Sequence, residues 1–345
     1  VSMVPNSTAR RVAGASADPG QASPDAGLRV RELTVDLWVD GRLRRIVDGI
    51  SFAVAPRGTL GIIGESGSGK SVTALALLDL LPASAHVGGE IRWRGEDLVN
   101  ASPARRRRIR GREIAMVFQD PLAALNPTRP VGRQIGEILR RGGMRRAQAG
   151  ERVVDLMTMA GIPDPTSRRR AYPHQLSGGL RQRVVIAMAL AGEPSLLLAD
   201  EPTTALDVTV QARILQLLGD IRAETGLAMI LVSHDLRVVS HVTDAVAVMY
   251  AGRLAEYGPT RDVLRQPRHP YTRALIQSVP AVHSRSALTR PLPGTPVGPA
   301  NRPAGCAFHP RCPLAIDRCA VEQPAWRPVP PGRWVACHRA EEVGA

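Results

Sequence analysis

Three short stretches carry residue types that could handle a phosphorylated substrate. "GESGSGKS" (Gly64–Ser71) satisfies the spacing G-x-x-x-x-G-K-[ST]. Glycines at 64, 67 and 69 permit a tight turn that aims backbone N–H groups at phosphate oxygens. Lys70 would neutralise phosphate charge, and the Ser71 hydroxyl suits Mg²⁺. "LLLADEP" (Leu196–Pro202) ends an apolar run on two acids. Asp200 is placed to reach Mg²⁺ through water, and Glu201 is the candidate general base for an attacking water. "HQLSGGLRQR" (His174–Arg183) is a Ser-Gly-Gly step opening a helical pattern, a second place where backbone amides could meet an anion. One chain thus holds two anion-binding helix starts.

Lys70 is the only lysine among 45 basic residues. Arginine serves everywhere else, but a planar guanidinium cannot replace a compact ammonium inside a loop of amides. The lone lysine is independent support for the loop.

These groups need a frame. "TLGIIG" (Thr59–Gly64) reads as a buried strand running into the loop, and "KSVTALALLDLL" (Lys70–Leu81) as the helix after it. "SLLLAD" (Ser195–Asp200) and "LAMILVS" (Leu227–Ser233) read as further apolar strands, with a helix near Val208–Thr225 between them. Such alternation predicts a largely parallel sheet with helices on its faces, an α/β fold. Before it, from Leu28, alternating residues predict antiparallel strands. Between Gln119 and Gln175 helical patterns dominate, including "VGRQIGEILRR" and "ERVVDLMTMAG". The expected divisions are a disordered tail over 1–27, a core over 28–262 with a helical subdomain at about 120–185, and an appended segment over 263–345.

Composition narrows the function classes. The chain has 345 residues, 44% hydrophobic and only 3% aromatic, so its core must rest on Leu, Val, Ile and Ala. The longest apolar runs, such as "VVIAMALAG" (Val184–Gly192), are too short to span a bilayer. The first residues lack the apolar stretch of a secretory signal, so a cytosolic or peripheral protein is expected. A net charge of +14 and "RRRRIRGR" (Arg105–Arg112) invite a nucleic-acid reading. The arginine-rich bias also fits a GC-rich coding sequence, and no aromatic residues interleave the basic ones. A solvated or lipid-facing patch is the better reading of that run.

With these residues in view, the chain resembles an ATP-binding-cassette (ABC) ATPase, specifically the ATPase subunit of a bacterial oligopeptide or dipeptide importer. The likeness runs from about Leu28 to Pro280, with its motifs in family order. "MVFQDPLAALNP" (Met116–Pro127) resembles the Q-loop, which implies that Gln119 senses Mg²⁺ and contacts the membrane partner. "LSGGLRQR" resembles the signature, "ALD" (Ala205–Asp207) the D-loop, and "VSHD" the switch, with His234 on the γ-phosphate. "HPYTRALIQSVP" (His269–Pro280) resembles an extension of the peptide-importer branch.

The resemblance implies ATP and Mg²⁺ as cofactors. Gly64, Glu65, Ser66, Gly67, Ser68, Gly69, Lys70, Ser71 and Val72 would surround the phosphates. Ser71, Gln119 and Asp200 would hold the Mg²⁺. It also implies that Ser177, Gly178, Gly179, Gln182 and Asp207 act on a nucleotide held by a second subunit. Partners would be a second, related ATPase chain, two transmembrane permease subunits and an extracytoplasmic substrate-binding protein, at the cytoplasmic face of the membrane. No nucleic acid is expected. A nickel or other small-solute importer and a soluble nucleic-acid ATPase are the alternatives. Family alignment places Leu37 where an adenine-stacking aromatic often falls; Trp38 beside it is the candidate.

All four cysteines, Cys306, Cys312, Cys319 and Cys337, lie within the last 40 residues. Their spacing does not match the close C-x-x-C pairs of structural zinc, and disulfides do not suit a reducing cytosol. The set resembles one that holds a [4Fe–4S] cluster in some dipeptide-importer ATPases, an expectation that four thiolates satisfy in number. His309 and His338 are spare candidates.

Overall fold

A computed structural model describes residues 27–204, 206–278 and 294–343. The tail expected to be disordered, Ala205 of the "ALD" motif and the end of "HPYTRALIQSVP" lie outside the described residues.

Two sheets form the frame. The first is antiparallel, in the order β2 (Arg42–Val54), β1 (Leu28–Val39), β4 (His86–Trp93), β5 (Glu96–Asp97). Asp40 and Gly41 turn the β1–β2 hairpin, both at positive φ (49° and 71°), the conformation that a two-residue hairpin favours. The second sheet has eight strands. Five of them run parallel, in the order β9 (Ala245–Tyr250), β3 (Thr59–Ile63), β8 (Ala228–Ser233), β7 (Leu196–Asp200), β6 (Ile114–Val117). β10 (Arg253–Pro259), β12 (Arg333–Val335) and β11 (Arg327–Val329) extend it antiparallel beyond β9.

The parallel strands are buried on both faces, and strand alternation decides which core each residue enters. Ile63, Val117, Leu197, Ala199, Met229 and Leu231 face the helical side. Leu60, Ile62, Met116, Leu198, Ile230 and Val232 face the antiparallel sheet and the helix Lys70–Leu77. On the helical side the helices Val131–Arg141, Arg146–Met159 and Gly178–Leu190 pack together, burying Ile135, Val153, Leu156 and Ile186. Because β3, β6, β7 and β8 are parallel neighbours, their carboxyl ends share one edge. That edge is where ligands bind in open α/β sheets.

One expectation needed adjustment. The helix after the loop ends at Leu77, not Leu81, and Asp79 sits at positive φ. The segment after 262, appended in sequence, is tied to the core in space. Tyr257 of β10 pairs with Trp334 of β12, so the extension joins the central sheet. Phe308 enters the main core, its ring 5.3 Å from both Tyr250 and Tyr271. Strands of three residues carry too little periodicity for this to be read in sequence.

Three of the six arginines in the run are paired from within. Arg105 pairs with Glu96 and Glu113, at 2.7 and 2.5 Å. Arg106 and Arg110 share Asp79, at 3.0 and 2.5 Å.

Candidate active site

The loop between β3 and the helix Lys70–Leu77 wraps around its lysine. The ammonium of Lys70 donates to the carbonyls of Gly64 and Glu65, both at 2.9 Å. Lys70 is only 4% exposed, and burial pushes its pKa down, opposed by Glu201, Asp200 and Glu65. Gly69 caps the helix at φ 102°, and Gly64 sits against Met249 and Ser68 where any Cβ would collide. No atom lies within 4 Å of where a Cβ would stand on Gly67, so its glycine serves the positive φ alone. The Ser68 hydroxyl is buried without a hydrogen-bond partner. A loop with a buried cation and an orphaned hydroxyl fits a phosphate group. Ser66 is exposed and Val72 half-buried beside it.

Neighbouring strand ends bring in the acids. The Ser71 hydroxyl donates to Asp200 Oδ1 at 3.0 Å, which joins the first turn of the helix Lys70–Leu77 to the end of β7. Burial raises the Asp200 pKa, with Ser71 and Lys70 opposing it and Glu201 adding to the rise. Ser71 and Asp200 are oxygen donors of the kind that would hold a magnesium ion, which binds carboxylates and hydroxyls while keeping several waters.

Glu201 follows at φ 44°, a strained value for a side chain of this size, and its amide donates to Val232 of β8 at 3.0 Å. Three groups from three segments converge on its carboxylate. Thr204 donates at 2.9 Å, Gln119 Nε2 lies at 3.4 Å, and His234 Nδ1 at 3.3 Å. Gln119 comes from the end of β6 and His234 from the end of β8. The three residues chosen as catalytic are therefore in one place, and Thr204 is an addition with no motif of its own to announce it.

The second helix start is built differently. Ser177 caps the helix Gly178–Leu190 and accepts from the Leu180 N–H at 3.4 Å. It is exposed, and among the described residues no hydrogen bond joins Ser177, Gly178 or Gly179 to the Lys70 loop. Gln182 is 1% exposed within this helix, whereas Ser177 is open. Asp207 caps the helix Val208–Thr225, accepting from Val210 at 2.9 Å. Trp38 is 58% exposed near the tip of the β1–β2 hairpin, opposite Leu43.

The four cysteines are free thiols, Cys319 buried and the other three half-buried. Burial pushes Cys306, Cys312 and Cys337 up, Cys337 to about 12, with each neighbouring thiolate adding to the rise. His309 Nδ1 and His338 Nε2 are engaged with the carbonyls of Cys306 and Glu322, at 2.9 and 3.0 Å. Among the described residues, no three or more His, Cys, Asp or Glu side chains converge tightly enough to hold a metal ion. No helix among them is long and apolar enough to cross a membrane.

Comparison with known proteins agrees with this geometry. The ABC transporter family matches residues 47–204, and the family "Oligopeptide/dipeptide transporter, C-terminal region" matches residues 255–319. The chain is similar to the dipeptide transport ATP-binding protein DppD of Escherichia coli, at 44% identity over 90% of this chain and 96% of that one. It is 49% identical to DppD of Bacillus subtilis over 85% of this chain and 88% of that one. Among solved structures it resembles cbiO1 of Clostridium perfringens, part of an ABC transporter complex (TM-score 0.61, 27% identity, 70% of this chain and 91% of that one). It also resembles a dimeric ATP-binding cassette in a post-hydrolysis state bound to ADP and Pi (TM-score 0.60, 26% identity, 68% of this chain and 99% of that one).

Proposed function

The chain belongs to the ATP-binding subunits of peptide-import ABC transporters, ATPases that energise the import of oligopeptides or dipeptides, and from that premise we propose how its residues divide the work. Lys70 and the amides of Gly64–Ser71 bind the ATP phosphates. Ser71, Asp200 and Gln119 hold Mg²⁺, which when bound polarises the phosphate oxygens. Glu201 takes the proton of the attacking water, and Gln119, Thr204 and His234 hold its carboxylate in place. Trp38 stacks on the adenine.

The observation that carries this reading is the convergence of Gln119, Thr204 and His234 on Glu201, next to the Ser71–Asp200 pair.

Ser177, Gly178 and Gly179 complete the site of a second ATPase chain rather than their own, with Asp207 beside that junction. The working unit is a pair of ATPases on transmembrane permease subunits, with this chain peripheral at the cytoplasmic face. Its pairing is with a related second chain, and a substrate-binding protein delivers the peptide from outside. Internal ion pairs take up Arg105, Arg106 and Arg110, half of the run that had favoured the nucleic-acid alternative.

Cys306, Cys312, Cys319 and Cys337 are the residues that would hold a [4Fe–4S] cluster. Their number meets the ligand count of such a cluster, with Cys319 buried and the other three half-buried, although as placed no three of them converge tightly enough to hold a metal ion. Such a cluster would staple the segment together.

One experiment tests pairing and cluster together: anaerobic purification of the complex from membranes with its permeases. The expected result is one copy of this chain beside one of a second ATPase, brown in colour, with about four irons per chain. Two copies of this chain as the sole ATPase would overturn the pairing. Colourless protein with a single zinc would overturn the cluster.

A further inference from the structure

Glu65 is the first variable position of the phosphate loop, and groups from the distant C-terminal extension hold it at both ends. Its backbone N–H donates to the Tyr271 hydroxyl at 2.8 Å. Its carboxylate receives a two-pronged contact from Arg311, Nη1 at 2.7 Å and Nη2 at 3.0 Å. Its own carbonyl is one of the two acceptors of the Lys70 ammonium, at 2.9 Å, and also accepts the Ser68 N–H at 3.2 Å. A shift of Glu65 therefore moves an acceptor that fixes the phosphate-binding lysine.

Neither outside contact is loose. Tyr271 is buried in the helix Pro270–Gln277, whose start is fixed by His269 Nδ1 accepting the Tyr271 N–H at 3.0 Å. Glu256 of β10 accepts the N–H groups of Arg268 and His269 at 2.9 and 3.1 Å, anchoring that helix start to the sheet. The Arg311 side chain is 3% exposed. Its guanidinium lies 6.0 Å from the Tyr250 ring centre and 5.9 Å from that of Phe308. A fork this buried keeps its geometry, and breaking the pair would strand a charge.

Arg311 also belongs to the cysteine segment. It closes the single turn His309–Arg311, with its N–H donating to Phe308 at 3.0 Å, and Cys312 follows at once. The Cys312 N–H donates to His309 at 3.2 Å, and the Cys306 N–H donates to Cys319 at 2.9 Å. What holds these thiols in place holds Arg311.

We propose that Arg311 and Tyr271 are positioning residues for the nucleotide loop, and that the cysteine segment sets ATP affinity through them. The inference rests on the assignment of Gly64–Ser71 as the ATP loop and not on what the cysteines bind.

Full-length chain is titrated with a fluorescent ATP analogue, and KM and kcat are measured in the assembled transporter. Arg311→Met should weaken nucleotide binding about tenfold and raise KM, with kcat changed far less. Glu65→Gln should do the same. The double variant should be no worse than either single, because both remove one pair. Arg311→Lys should recover part of the loss, keeping charge without the fork.

Cys312→Ser should weaken binding in the otherwise native chain and add nothing in the Arg311→Met background. Glu65→Gln sits on the loop surface and decides the matter should Arg311→Met fail to fold. Affinity within twofold of the native chain in Glu65→Gln would overturn the proposal. So would effects of Cys312→Ser and Arg311→Met that multiply. Iron is assayed separately on Cys312→Ser. Iron lost with affinity intact overturns this coupling and leaves the cluster standing, while affinity lost from a chain that never held iron does the reverse.

Discussion

The two helix starts that point at anions differ in what surrounds them. At Lys70 the helix opens from a buried loop with an ammonium, a hydroxyl on Asp200 and a carboxylate that gathers three side chains. At Ser177 the helix opens onto an exposed face with a hydroxyl and two glycines. The nearby Arg181 is turned back onto the carbonyls of Pro173 and Leu176, both at 3.0 Å. Either helix start can attract phosphate through its amides and its dipole. Only the first has a base to move a proton. On the proposed reading the second completes a site but cannot run one, and that is why two anion sites in one chain would call for a second subunit.

The comparison breaks most sharply at Glu201. Glu201→Gln should lower ATP turnover by about a thousandfold, because it removes the base while leaving the phosphate cradle. Nucleotide binding, read by fluorescence, should stay near that of the native chain. Turnover within threefold of native would take Glu201 out of the role.

The next largest effect is expected at the lone lysine. Its ammonium fits between two carbonyls at 2.9 Å, a space too narrow for a planar guanidinium. Lys70→Arg should therefore weaken ATP binding about thirtyfold despite the retained charge, a loss of about 2 kcal/mol. The same exchange of size and charge has no counterpart at Ser177, where no buried cation is involved.

How much of this was legible beforehand depended on how local each signal is. Gly64–Ser71, Asp200 and Glu201 announce themselves through residue type and spacing, and apolar runs put both groups on strands of one largely parallel sheet, without showing that β8 lies between them. Gln119 and His234 needed family resemblance, since a lone Gln or His on a strand end carries no pattern. Thr204 carried none either. The extension was the least legible part. Its strands are short and its anchors are single residues, Phe308, Tyr271 and Arg311, which meet the core through contacts distant in sequence, such as Glu65 with Tyr271 and Arg311, more than 200 residues apart.

A smaller effect should separate the extension from the parallel core. Burial holds His269 neutral, with its pKa pushed down from 6.5 to about 4. The unfolded chain takes up a proton as pH falls through 6.5 and the folded chain does not, so stability is present above that pH and is lost down to about 4. His269→Asn, which keeps a capping acceptor but cannot titrate, should lack this loss. Urea denaturation at pH 7 and pH 4.5 should show the native chain losing roughly 2–3 kcal/mol relative to the variant. Equal pH dependence in the two chains would mean that His269 is not held neutral.

The most direct test of the central claim, that the Ser177 helix start acts on another chain's nucleotide, is the ATP affinity of Ser177→Arg measured twice. In the isolated monomer the account predicts affinity within twofold of native, since Ser177 takes no part in its own chain's site. In the assembled transporter it predicts that turnover falls at least a hundredfold, the scale on which loss of transition-state charge stabilisation is felt. A tenfold loss of affinity in the monomer would place the two helix starts on one nucleotide and contradict the account.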